Sequence, residues 1–432
     1  MDHYWRFETS AVHAGYEPSE GERSVAVPIH HGAAFAFDDM QHAVDLFEGR
    51  RLGLIYSRIA NPTVQVLEAR LSTLEQGVGS VATASGQAAL SAAFLTLVGA
   101  GDNIVASSAL YGTTYNLLEN LLPQYGVKAR FVAPGDFDGF AAAIDERTRA
   151  VFCETIANPA IGVADLERLA EIAHANGVPL IVDNTVATPY LCRPLLHGAD
   201  IVVHSLTKYL AGHGTALGGA VIDGGTFPWD AHASKFPRLT RPDDSHHGTT
   251  FTRTFGERAF VARCASVPVR TLGAVLSPVA ASSIMQGIET LALRMERICF
   301  NAEQVARYLQ QHPAVGHVLY AGLPEHPDAA LASRYLGGRG SGVLSLRLKG
   351  GEPAIRGFQD ALRLVRRSVN LGDCKTLACH PASTTHRQLS HDDRVRCGVT
   401  PDLLRLSIGI EHVDDLITDL ARALASAGRT GP

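Results

Sequence analysis

The sequence predicts an α/β protein built on a mostly parallel sheet that is buried on both faces. Two observations carry this. Short Val/Ile runs recur through the middle of the chain, at residues 103–107, 150–154, 179–183, 200–204 and 218–222. Runs that are apolar throughout, instead of alternating, belong to strands covered on both sides. Between them lie segments with helical spacing, and strands that alternate with helices build parallel sheets.

The elements follow in order. Residues 1–62 show no clear period and hold scattered aromatics and turn formers, which reads as an extended arm with no core of its own. Residues 76–101 carry no charge, yet Gly77, Gly79, Gly86 and Gly99 interrupt them. They read as a polar turn followed by a buried helix over 88–98, not as a membrane span. Residues 165–176 place Leu166, Leu169, Ala170 and Ala173 on one helical face, with Gly177 at the position of a left-handed cap. Residues 230–245, rich in Pro, His, Asp and Arg, read as a long loop. A long, weakly polar helix is expected over 277–295, followed by a second over 303–311. Strands such as 342–348 and helices such as 413–425 then form a smaller C-terminal α/β domain. The expected division is an arm (1–62), a large domain (63–276) and a small domain (277–432).

Composition narrows the function. The chain has 432 residues, 46% apolar and 19% charged, the balance of a globular protein with a large core. A net charge of −5 without Lys/Arg runs argues against nucleic acid as a partner. The seven Cys are odd in number and include no CxxC pair, so they form no disulfide framework. The N-terminus has no apolar leader segment. A cytoplasmic protein is expected, with no membrane partner.

Three positions at strand ends draw the chemistry together. Asp183 closes one Val/Ile run, and Lys208 follows another through Ser205 and Thr207. Ligands of open α/β sheets bind outside the carboxyl ends of strands. A lysine among apolar and small neighbours suits a nucleophile or Schiff base, and an acid nearby suits a cationic heterocycle. Spacing alone leaves Asp183 equally fit to cap the next segment and Lys208 to be a solvated loop residue. Ser85, Gly86 and Gln87 open a helix, where backbone N–H groups accept a phosphate; a simple helix cap explains them as well. One lysine, one acid, one aromatic and several phosphate donors are what pyridoxal phosphate requires.

Longer motifs go further. HSLTKYLAGHG (204–214) resembles the lysine signature of the Cys/Met-metabolism family of pyridoxal-phosphate enzymes. In the same order, YSRIANPT (56–63), ATASGQAA (82–89), SALYGTTY (108–115), ETIANP (154–159), VDNTVATPYL (182–191), HPASTTH (380–386) and LLRLSIGIE (403–411) resemble it too. Together they cover the chain from about Phe7 to Leu424. Within the family, NLGDCKTLACHPASTTH (370–386) and the 230–245 segment look most like O-acetylhomoserine sulfhydrylases. The resemblance implies the type I pyridoxal-phosphate fold, with a mostly parallel seven-stranded sheet, a smaller C-terminal α/β domain, and catalytic dimers paired into a tetramer.

It also implies roles. Lys208 would hold the cofactor, pyridoxal 5′-phosphate, as an internal aldimine and then move protons between Cα, Cβ and C4′. Asp183 would keep the pyridine nitrogen protonated, and Tyr111 would stack on the ring. Ser85, Gly86, Gln87, Ser205 and Thr207 would hold the phosphate, with Tyr56 and Arg58 reaching it from the neighbouring subunit. Asn158 would lie near the ring oxygen, Arg405 would grip the substrate carboxylate, and Asn370 and Tyr56 would also meet the amino-acid substrate. The implied reaction is γ-replacement on O-acetyl-L-homoserine by sulfide or a thiol, through a vinylglycine-type intermediate. A γ-lyase sharing every one of these residues is the alternative, and a low-turnover cofactor-binding regulator is the alternative of another class. Thr113 stands where the resembling γ-lyases carry a cysteine, which leans away from a methionine γ-lyase.

One departure is plain. The run His30-His31-Gly32-Ala33-Ala34-Phe35 stands where the family pattern has hydroxyl-bearing residues. Drift in the arm explains it as well as an altered substrate entrance does. No His or Cys pattern has metal-ligand spacing, so no metal is expected.

Overall fold

The computed structural model describes residues 5–19 and 23–427. Its larger sheet holds β1 (Gly79–Thr83), β2 (Asn103–Ser107), β3 (Lys128–Val132), β4 (Thr148–Glu154), β5 (Leu180–Asp183), β6 (Ile201–His204) and β7 (Gly219–Asp223). Their order is β1-β7-β6-β5-β4-β2-β3. The pairs β2–β3, β2–β4, β4–β5 and β5–β6 are parallel, and β7 alone runs against both of its neighbours. The carboxyl ends of β1, β2, β4, β5 and β6 therefore open on one side. Each residue of β2, β4, β6 and β7 is buried, which is why these strands stand out as apolar runs.

Two strands escape that signal. The edge strand β3 alternates exposed and covered residues, as one-sided burial requires. The strand β1 lies inside the expected turn before the helix, and its sequence GSVAT offers one branched apolar residue to mark it. The helix that follows runs Gly86–Leu97, capped by Ser85, whose hydroxyl accepts from Ala88 N. The helix Leu166–Ala175 matches its expected face, and Asp165 caps it by accepting from Arg168 N.

The smaller sheet contains β8 (Val315–Leu319), β9 (Val343–Leu348), β10 (Arg366–Arg367), β11 (Leu377–Cys379) and β12 (Leu403–Ser407), in the order β10-β11-β12-β9-β8. Apart from β10–β11 its pairs are antiparallel. The helices Gly351–Ala361 and Val413–Ala427 cover it with a separate apolar core that includes Phe358, Leu404, Leu416 and Leu420. The fold is α/β, with a large mostly parallel sheet and a smaller C-terminal sheet.

Two expected segments differ. The helix expected over 277–295 is two helices, Pro278–Glu289 and Leu291–Gln311, and the expected 303–311 segment is the end of the second. The break falls at Thr290, where the buried Arg294 guanidinium reaches back to Gly287 O at 2.5 Å and across to Tyr209 O at 2.7 Å. Gly287 is required there, because a Cβ would sit 2.2 Å from Ala211 O. An apolar pattern that runs through both helices hides this joint. The 230–245 segment is not an open loop: it carries the helix Pro237–Thr240 and short turns, pinned by buried Phe236 and Leu239 beside Trp229. Trp229 meets Phe236 edge-on at 5.0 Å and stacks on Phe260 at 5.9 Å. Those anchors hide among Pro and charged residues.

The arm begins with the helix Phe7–His13, held to the helix Pro62–Glu75 where Arg70 Nε donates to Ala14 O at 3.0 Å. Further along it leaves apolar side chains uncovered: Val25 is 93%, Met40 85% and Leu52 96% exposed. No helix among the described residues is long and apolar enough to cross a membrane.

Candidate active site

The carboxyl ends of β4, β5 and β6, the start of the helix Gly86–Leu97 and the loop before β11 enclose a cavity of about 190 Å³. Lys208, Asp183, Tyr111, Asn158, Arg405 and the phosphate-type residues Ser85, Gly86, Gln87, Ser205 and Thr207 all line it. Residues far apart in sequence meet here because the parallel strands all end on this side.

At the helix start, the first N–H groups have no acceptor within the helix, and Ser85, Gly86 and Gln87 line the cavity. Gly86 is needed for this approach, since a Cβ would lie 2.7 Å from Ser205 Cβ and 3.0 Å from its Cα. Gln87 Nε2 donates to Thr114 Oγ1 at 3.1 Å, which ties this helix to the Tyr111 turn. The Thr207 hydroxyl accepts from Gly218 N at 3.0 Å and holds the Ser205–Lys208 turn against β7.

Lys208 Nζ donates to Asn370 Oδ1 at 2.5 Å. Burial, aided by the positive charge of Arg405, pushes its pKa down to about 8. Arg405, on β12, is 2% exposed. Its Nη1 donates to Asn158 Oδ1 at 3.2 Å, and its Nη2 to the carbonyls of Val369 at 2.9 Å and Asn370 at 2.8 Å. Its Nε finds no acceptor, and no carboxylate pairs with it among the described residues. A buried guanidinium without an anion is costly, so the cavity is built to receive one.

Asp183 ends β5 and accepts from Thr185 N at 2.9 Å. Burial pushes its pKa up, while Thr185 and the His204 charge pull it back. Beneath lies the buried pair of His204 Nε2 and Glu75 Oε1, 2.6 Å apart, which Asn184 Nδ2 joins at 2.9 Å. His380 and His386 sit in the loop that packs on the Tyr111 turn. His380 bridges Ser383 Oγ and Pro401 O, and burial pushes His386 down to about 4. A Cβ on Gly112 would meet Thr385 O at 2.5 Å.

Tyr56 and Arg58 do not reach the cavity of their own chain. Arg58 lies 5.5 Å from the Tyr56 ring and donates to Arg270 O at 2.9 Å. The His30–Phe35 run lies beside them: Ala34 bridges Tyr56, and Phe35 N donates to Ile55 O at 3.1 Å. Sequence reasoning missed Glu154, which lines the cavity, and Thr185, whose hydroxyl accepts from Ser205 N at 2.8 Å. Both stand inside quoted motifs, ETIANP and VDNTVATPYL, and only their geometry separates them from neighbouring residues.

The model of the family described as Cys/Met metabolism PLP-dependent enzyme matches residues 8–425. The chain belongs to this family. Sulfhydrylase FUB7 of Fusarium oxysporum f. sp. lycopersici is 48% identical over 425 residues, covering 98% of both chains. O-acetyl-L-homoserine sulfhydrylase 1 of Thermus thermophilus is 46% identical, covering 97% of this chain and all of the relative. A Campylobacter jejuni structure that carries a pyridoxyl-lysine phosphate superposes with a TM-score of 0.95 at 40% identity, over 98% of this chain and 100% of that one. The fold is that of the type I pyridoxal-phosphate enzymes. The cofactor of the family is pyridoxal phosphate, and the cavity fits it: a lysine of lowered pKa, a carboxylate at a neighbouring strand end, and a helix start that only glycine leaves open.

Proposed function

We propose that this enzyme catalyses γ-replacement on an O-acylated homoserine, O-acetyl-L-homoserine, with sulfide or a thiol as nucleophile: the Cγ–O bond breaks, acetate leaves, and a Cγ–S bond forms, giving homocysteine or methionine. The observation that carries it is the buried Arg405, whose Nε lacks a protein acceptor, set in the same cavity as Lys208. A fixed cation for an α-carboxylate and an amine able to move protons are what an amino-acid substrate needs. The names of the sulfhydrylase relatives support the choice of substrate.

The bound cofactor supplies an electron sink that acidifies the substrate's Cα and Cβ protons. Arg405 orients the carboxylate and so sets the Cα–H bond toward Lys208. Lys208 Nζ takes that proton and serves the Cβ position in turn, at a pKa near 8 that leaves much of it free base in mildly alkaline solution. Asp183 would keep the heterocycle's nitrogen protonated, Tyr111 would face the ring, and the Gly86 end of the helix, with Ser205 and Thr207, would hold the phosphate. Asn158, already bonded to Arg405, would serve the ring oxygen. Asn370 meets the substrate once its carboxamide is released from Lys208.

A second copy completes the site. The uncovered apolar stretch of the arm calls for a partner surface, and Tyr56 and Arg58, which miss their own cavity, reach the partner's phosphate site. The working unit is then a dimer, paired into a tetramer, whose subunits divide into an arm (1–62), a large domain (63–276) and a small domain (277–432). Seven unpaired cysteines support a reducing, cytoplasmic setting. Homocysteine formed by holoenzyme from O-acetyl-L-homoserine and sulfide, and lost in Lys208→Ala, is the expected result. Release of 2-oxobutyrate at the same rate with and without sulfide overturns replacement in favour of elimination.

A further inference from the structure

Glu154 has no part in the reading above, yet it sits on the cavity wall. It is the last residue of β4, and in the ladder its Cα faces that of Asp183 on β5. Two acids at paired positions of neighbouring strands stand about 5 Å apart at their Cα atoms. Glu154 is 7% exposed. Its Oε1 accepts from Tyr111 N at 2.6 Å and its Oε2 from Asn158 N at 3.2 Å. Tyr111 and Asn158 come from two different turns, one after β2 and one after β4. Asn158 in turn holds Arg405 Nη1.

We infer that Glu154 is a positioning residue: its carboxyl group clamps the Tyr111 turn to the Asn158 turn, and so fixes both the ring-stacking face and the Arg405 anchor of the cofactor pocket. Both turns leave strand ends and are buried, Leu110 and Ile156 each at 1% exposure, so a change in either is felt in the core. The Tyr111 turn enters a helix of five residues, Gly112–Asn116, and Tyr111, its N-cap, makes no side-chain cap bond. A single side chain that accepts both N–H groups removes the freedom of one turn relative to the other.

The charge on this clamp follows from its place. Two buried carboxylates this close do not both ionise. Burial and the negative charge of Asp183 push Glu154 well above the usual carboxylate range, against the pull of its two N–H donors. Cys153 and Cys397, the other titratable groups whose electrostatics Glu154 touches, are themselves pushed up by burial and stay neutral thiols.

The test uses purified protein with pyridoxal phosphate as the probe. Glu154→Gln keeps the shape but offers one acceptor oxygen where there were two. Glu154→Ala offers none. The cofactor dissociation constant is expected to rise about tenfold in the Gln variant and about a hundredfold in the Ala variant, as one and then both bonds are lost. The visible circular dichroism of the bound cofactor, which reports the tilt of its ring, changes in the same order. Wild-type cofactor affinity and dichroism in both variants, with only a lower melting temperature, overturns the clamp. So does a Gln variant no better than Ala.

Discussion

Arg405→Lys separates a fork-shaped grip from a mere positive charge. In the folded chain the guanidinium divides its donors: Nη1 serves Asn158, Nη2 serves two carbonyls, and Nε is left over for a ligand. Lysine offers three donors from one atom and keeps the charge, but it cannot satisfy Asn158, the carbonyls of residues 369 and 370 and a substrate carboxylate together. The loss amounts to one charge-assisted hydrogen bond in a buried site, about 1.5–3 kcal/mol, or about 10- to 150-fold in binding. The assay is steady-state turnover of O-acetyl-L-homoserine at saturating sulfide, alongside the visible absorbance of the bound cofactor. We expect KM to rise about thirtyfold, kcat to fall by less, and cofactor content to remain that of the wild type. A KM within threefold of the wild type, with cofactor retained, refutes the assignment of the carboxylate to Arg405.

Further outcomes follow from other contacts. Lys208 is depressed to about 8 in the fold from 10.5, so between those values the unfolded chain binds more protons and stability rises with pH; below 8 the penalty of burying the cation is fully present. Apo Lys208→Met should therefore melt above the wild-type apoenzyme at pH 7, with the gain fading toward pH 10.5, and a gain independent of pH contradicts this. Gly86→Ala forces a shift between the helix start and Ser205, and should weaken cofactor binding by about tenfold or more in a fluorescence titration. Glu75→Ala strips the buried His204 of its partner and should cost about 3 kcal/mol, read as a lower melting temperature; an unchanged one contradicts the pairing. Mixing inactive Lys208→Ala and Tyr56→Ala subunits should restore about a quarter of the wild-type activity, because half of randomly paired dimers then hold one intact site of two. No recovery on mixing contradicts the shared site.

Much of this was legible in the sequence, for a physical reason. Central strands buried on both faces must be apolar throughout, so β2, β4, β5, β6 and β7 declared themselves and placed Asp183 and Lys208 at strand ends. The edge strand β3 and the small-residue strand β1 lack that pressure and went unseen. The joint at Thr290 was hidden because a buried arginine makes it, and Gly287, which leaves it room, lies inside the helix Pro278–Glu289. In the site, motifs named most of the polar residues that line the cavity, among them Lys208, Asp183 and Arg405. Glu154 was passed over because an acid that accepts backbone N–H groups is indistinguishable in sequence from one on the surface; only the fold brings the turns at 111 and 158 to its two oxygens.

The account centres on one amine, Lys208, moving protons at both Cα and Cβ before sulfide arrives at Cγ. The most direct measurement is the isotope content of homocysteine made from O-acetyl-L-homoserine and sulfide in deuterium oxide. The account predicts deuterium at Cα and at Cβ. Homocysteine that keeps all of its original hydrogens at both carbons would mean direct displacement at Cγ, and would contradict it.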